Sequence, residues 1–250
     1  MEQPVIYALD FDGVICDSAI ETGIAGWKAA THIWDDMTTP LPTPERVEQF
    51  RSVRPIIETG YEAILVMRLL FNGDSVNAIL ADFPNKKQQL LMQYRLSSAN
   101  LKQLFGAVRD QWIKESPDEW VNMNPLFSGI AEKLQRLSTQ GVWYIITTKQ
   151  ERFVSEILSA NHISLAKSRI FGLDRKMSKE EVLTALQQQH QQQRLYFVED
   201  RLPTLLKVLQ NDRLQQIKLF FADWGYNTDE DKLEAARHPL STIALENFLA

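Results

Sequence analysis

Val5-Ile6-Tyr7-Ala8-Leu9-Asp10-Phe11-Asp12-Gly13-Val14 is the stretch on which the fold turns. Five apolar residues in succession, ending abruptly at an acid, read as a short strand buried on both faces, as strands of a parallel sheet are. Side chains two apart along a strand point the same way. Asp10 and Asp12 are therefore expected to aim their carboxylates at one place beyond the strand's carboxyl end, with Gly13 relaxing the turn that follows.

Working outward, the character changes after Cys16 for about a hundred residues that lack strand alternation and are rich in Leu, Gln, Lys and Ala. They read as helices, interrupted by a loop from Thr38 to Pro44. In Gly60 to Phe71 the apolar residues are too dense for one stripe, which predicts a helix covered on more than one side. From Asn124 onward helix and strand alternate: a helix opened by Pro125, strands at Val142–Ile146, Arg169–Gly172, Leu195–Val198 and Ile217–Ala222, and helices between them. Ser178 followed by Glu181 has the spacing of a capping box, which starts one of those helices, and Thr228 is placed to cap the last. The expectation is an α/β fold, a Rossmann-like, doubly wound, mostly parallel sheet with an inserted all-helical domain. The sheet domain takes residues 1–16 and 124–250, and the helical domain takes 17–123.

Composition narrows the class. The 27 Lys and Arg against 32 Asp and Glu give a net charge of −5 with the basic residues scattered, so no footprint for nucleic acid is present. A single cysteine, Cys16, precludes an intramolecular disulfide framework, and no Cys/His cluster suggests zinc. The apolar runs are too short to span a bilayer and the amino terminus lacks the pattern of a signal peptide. The expected setting is the cytoplasm, without a membrane or nucleic-acid partner.

In open α/β sheets ligands bind beyond the carboxyl ends of the strands. Asp10, Asp12 and Asp17 follow the first strand, Thr147, Thr148 and Lys149 the second, and Glu199 and Asp200 the fourth. Each group alone has a local explanation: Asp and Thr favour turns and helix caps, and acids suit a helix start. Together, however, converging acids repel one another unless a cation sits among them. Oxygen ligands of this kind suit Mg²⁺, which binds through one or two carboxylates and substrate phosphate oxygens.

Asp10-Phe11-Asp12-Gly13-Val14-Ile15 resembles the first motif of the haloacid dehalogenase superfamily of hydrolases, Thr147-Thr148-Lys149 its second, Lys179 its third and Val198-Glu199-Asp200 its fourth. The helical block resembles the cap of the phosphoglycolate phosphatase and β-phosphoglucomutase-like subgroup. The resemblance implies a Mg²⁺-dependent phosphatase acting on a small phosphorylated metabolite, a sugar phosphate or a phosphoglycolate-like compound. Asp10 would be the nucleophile forming an aspartyl-phosphate, and Asp12 the general acid and base. Asp10, Asp200 and the backbone carbonyl of Asp12 would hold the metal, while Thr147, Thr148 and Lys179 would bind phosphate, with Lys176 a rival for the lysine. The fourth motif departs from the commoner form, having Thr204 where a further acid stands, which leaves Glu199 either near the metal or orienting Lys179. The cap would close over the crevice and contact substrate, with Arg54, Glu58 and Tyr61 the candidates. A phosphomutase would use the same residues, and a binding protein could retain the fold; a dehalogenase is disfavoured by Asp12. Oligomeric state is not legible.

Overall fold

The computed structural model describes residues 4–250, which divide into two compact units: the described residues through Asp17 together with Pro125–Ala250, and Ser18–Asn124. The first strand, β1, spans Val5–Leu9. The second unit follows as helices α1 (Ala19–Thr31), α2 (Pro44–Val53), α3 (Glu62–Phe71), α4 (Val76–Gln93), α5 (Ser98–Glu115) and α6 (Pro117–Asn122). The chain then resumes with α7 (Ile130–Gln140), β2 (Trp143–Ile146), α8 (Glu151–Ala160), β3 (Ile170–Phe171) and α9 (Lys179–Gln189). It ends with β4 (Arg194–Glu199), α10 (Leu202–Leu209), β5 (Lys218–Ala222), α11 (Asp229–Ala235), β6 (Ser241–Ile243) and α12 (Leu245–Leu249).

The strands form one sheet in the order β3-β2-β1-β4-β5-β6, and every ladder is parallel. β1 is thus central, with β2 and β4 on its two sides. Alternation along the strands sends Ile6, Ala8, Leu195, Phe197, Leu219 and Phe221 to one face, where they pack with Val182, Leu183 and Leu186 of α9 and Leu202 and Leu205 of α10. On the other face Phe248 of α12 lies edge-on to Tyr7 and stacks on Trp224 at 5.7 Å between ring centres. Removing each such Leu, Ile, Val or Phe side chain from water contributes roughly 1.5–3 kcal/mol, which outweighs what any single surface contact supplies.

Three features differ from the sequence expectation: α12 follows the helix capped by Thr228, which the sequence reading makes the last, and the other two have a tertiary cause. The helix expected at Pro125 begins at Ile130, after Gly129, because the intervening residues run beside the loop after β1: Leu126 bridges Cys16, and Phe127 N–H donates to the Ile15 carbonyl. β6 has no apolar run to announce it; its side chains are half-exposed or exposed, and backbone pairing to β5 defines it.

In the helical unit every residue from Tyr61 to Leu70 is buried, because α1, α2 and α4 all pack on α3. Glu21 of α1 is fully buried, accepting from Arg109 of α5 through both carboxylate oxygens and from the indole N–H of Trp120. Among the described residues no helix is long and apolar enough to cross a membrane.

Candidate active site

Strand register assembles the acids. Leu9 pairs with Val198, and the Asp10 N–H donates to the Val198 carbonyl at 2.9 Å, so Asp10 and Glu199 leave adjacent central strands at the same level. Asp200 follows one residue on. Asp10, Glu199 and Asp200 are 6%, 0% and 1% exposed, and each offers a carboxylate oxygen within 4.8 Å of the others. Three acids so placed in low dielectric require positive charge nearby.

Lys179 supplies part of it. It is the first residue of α9, whose start is fixed by a capping box in which Ser178 Oγ accepts from the Glu181 N–H and the Glu181 carboxylate accepts from the Ser178 N–H. From there Nζ reaches Asp10 Oδ1 at 2.8 Å and Glu199 Oε2 at 2.6 Å. Glu199 Oε1 accepts from the Arg201 N–H at 3.0 Å. Both oxygens of Glu199 are therefore engaged, one by Lys179 and one by the backbone of Arg201. Burial pushes the Asp10 carboxyl up to about 7, Glu199 and Asp12 add to the rise, and Lys179 opposes it. Burial works against the Lys179 ammonium, but Asp10 and Glu199 outweigh it and hold that group above the usual lysine range. Lys176, by contrast, is exposed with a left-handed φ of 54°.

Two glycines make room for Asp200. Gly13 has φ +94°, and a Cβ there would lie 2.1 Å from Asp200 Oδ2; a Cβ on Gly225 would lie 2.3 Å from Asp200 Cβ. The Tyr226 N–H donates to Asp200 Oδ2 at 2.6 Å while the Tyr226 hydroxyl donates to Asp17 Oδ1 at 2.9 Å. The loop after β5 is thus part of the site. In sequence Trp224-Gly225-Tyr226 is a glycine between aromatics after the fifth strand, which resembles a family segment near the crevice and reads equally as two half-buried aromatics at a loop.

Asp12 is met from the other side. Lys149 Nζ lies 2.8 Å from Asp12 Oδ1, its side chain only 1% exposed. Thr147 is buried, and its Oγ1 accepts from the Lys149 N–H at 3.1 Å; Thr148 is half-buried. The structure brings Asp10, Asp12, Thr147, Lys179, Glu199 and Asp200 to one end of the sheet. Arg54, Glu58 and Tyr61 lie in the helical unit: buried Arg54 donates to the Ile57 carbonyl at 3.1 Å, buried Tyr61 donates to Ser98 Oγ at 3.1 Å, and Glu58 is exposed.

The donor set fits a hard divalent cation. All the candidate ligand atoms are oxygens, Lys179 engages only one oxygen of Asp10, and the space beside Asp200 is one that a Cβ at Gly13 would fill.

No protein-family model and no curated protein matches the sequence. Solved structures do. A structure described as a predicted phosphatase from Clostridium acetobutylicum aligns over 100% of this chain and 97% of its own at 17% identity and a TM-score of 0.58. A predicted phosphoglycolate phosphatase from Haemophilus somnus aligns over 100% and 96%, at 14% identity and a TM-score of 0.60. Protein tyrosine kinase A from Mycobacterium tuberculosis aligns over 100% and 97%, at 19% identity and a TM-score of 0.52. The chain has the haloacid dehalogenase-like fold, a parallel α/β core interrupted after its first strand by a helical insertion. That one of these structures is named a kinase marks the limit of the comparison, since one fold hosts several chemistries.

Proposed function

We propose that the protein is a Mg²⁺-dependent phosphatase that hydrolyses a small phosphorylated metabolite through an aspartyl-phosphate. The observation that carries the reading is the buried group of Asp10, Glu199 and Asp200 with Lys179 bridging two of them, at the end of the sheet where such folds bind ligands. The phosphatase-named structures, which align over nearly the whole of both chains, agree with it. The lone, buried Cys16 agrees with a cytoplasmic setting.

On this reading an Asp10 oxygen attacks phosphorus, the ester P–O bond breaks, and its electron pair stays on the leaving oxygen, which takes a proton from Asp12. Water then attacks the same phosphorus while Asp12 takes its proton, and the bond to Asp10 breaks to release phosphate and restore both carboxylates. Lys179 stabilises charge on the transferring group and orients Asp10, while Thr147 and Thr148 offer donors to the phosphate oxygens. Asp10, Asp200 and the Asp12 backbone carbonyl would hold a Mg²⁺ ion, which when bound offsets the repulsion between an anionic nucleophile and an anionic phosphoester.

Phosphate release from a panel of phosphomonoesters, with Mg²⁺ or with chelator, tests the reading in wild type and Asp10→Asn. Metal-dependent release that vanishes in the variant supports it. Release that survives in Asp10→Asn, or none from any ester, overturns it.

A further inference from the structure

Lys149 is a buried charge at the site that the scheme above leaves without work. An ammonium is strongly hydrated, and fixing a lysine side chain costs rotamer entropy, so a lysine held at 1% exposure differs from a solvated surface residue. Its backbone is held from three directions. The N–H donates to Thr147 Oγ1 at 3.1 Å, the carbonyl accepts from the Leu173 N–H at 3.1 Å, and the same carbonyl oxygen lies where only glycine fits, 2.4 Å from the position of a Cβ on Gly172. From this support the side chain delivers Nζ to Asp12 Oδ1 at 2.8 Å. The other ammonium of the site, Lys179, is committed to Asp10 and Glu199. The two lysines therefore divide the two acids of the first motif between them.

We propose that Lys149 is a positioning residue, aiming the Asp12 carboxyl at the leaving oxygen of a phosphomonoester and stabilising the carboxylate that forms as Asp12 gives up its proton. The inference rests on the phosphatase reading. The proton passes from Asp12 to the oxygen whose bond to phosphorus breaks, Lys149 keeps its own protons throughout, and the ammonium meets negative charge that grows in the transition state. Esters of poor leaving groups depend on this transfer. An aryl ester whose oxygen departs as a stable anion does not.

The experiment compares kcat/KM, which reports steps through formation of the aspartyl-phosphate, for p-nitrophenyl phosphate and for an alkyl phosphomonoester that the wild type hydrolyses. Lys149→Met is expected to lower kcat/KM for the alkyl ester by about 100-fold, the usual scale of general acid catalysis, and for p-nitrophenyl phosphate by less than about 5-fold. Asp12→Asn should show the same split, and adding Lys149→Met to it should cost nothing more, as expected of two residues acting as one unit. Lys149→Arg, which keeps the charge but moves it, should fall between. Gly172→Ala, which presses on the Lys149 carbonyl without altering any charge, should reproduce the split if Lys149→Met does not fold. Equal losses for the two esters, or full additivity with Asp12→Asn, overturn the inference while leaving the phosphatase reading intact. A wild type inactive on every ester removes both.

Discussion

Asp10 stands where charge is least welcome and most needed. With its carboxyl pushed up to about 7 by burial and by Glu199, the folded protein holds a proton there that the unfolded chain releases near its ordinary value of 3.8. Stability from this group is therefore present below that ordinary value and is lost as pH rises through about 7. Asp10→Asn cannot ionise, so in chelator its melting temperature should exceed that of wild type by a margin that grows from about pH 4 to 7 and then levels, at ~2–4 °C per kcal/mol. A margin that is absent or runs the other way with pH, measured by calorimetry, would remove Asp10 from the conflict described. Gly13→Ala meets both a left-handed φ and the Asp200 carboxylate, and urea titration should show it destabilised by about 2 kcal/mol or more. Sequence shows which residues end the apolar runs, and so Asp10, Asp12, Glu199 and Asp200 are legible as a group. It does not show which charges meet: Lys149 reaches Asp12 because Gly172, in a different part of the chain, lets its carbonyl approach. No local pattern reports that.

At the scale of elements, α9 is a device for holding one ammonium in place. Its capping box satisfies amide groups at the helix start and sets the point from which Lys179 extends. Ser178→Ala should cost about 1 kcal/mol in stability. It should also lower kcat on any accepted ester more than it raises KM, measured side by side with wild type, because the loosened turn carries Lys179 with it. Unchanged kcat would separate the cap from the site. This helix is readable in sequence because a capping box is local, with both partners three residues apart. β6 is not readable, since its pairing with β5 comes from where the chain returns rather than from Ser241-Thr242-Ile243 themselves. The helix after Pro125 is misplaced in sequence for a related reason: tertiary pairing with Ile15 and Cys16 holds its expected first residues out of helical geometry.

For the whole molecule, the buried Glu21–Arg109 pair is the costly feature of the helical unit, and breaking such a pair from one side destabilises by about 3–5 kcal/mol. Arg109→Met, which leaves the fully buried Glu21 without its two-point partner, should lower the denaturation midpoint correspondingly; a change under about 1 kcal/mol would mean that water or rearrangement relieves the carboxylate. The alternation of strands and helices is legible as far as β5 because burial on both faces writes itself as apolar runs, whereas order across the sheet depends on contacts between distant segments. That order has a consequence in time. β1 ends at Leu9, yet the strands that flank it begin at Trp143 and Arg194. At about 5–20 residues per second of synthesis, the strand bearing the first acids leaves the ribosome several seconds or more before either neighbour exists. During that interval the contiguous helices of residues 18–124 can settle while Val5–Leu9 waits as an apolar segment without a sheet. The centre of the sheet is written before its neighbours and completed after them, and the nascent chain has a window in which it needs shelter.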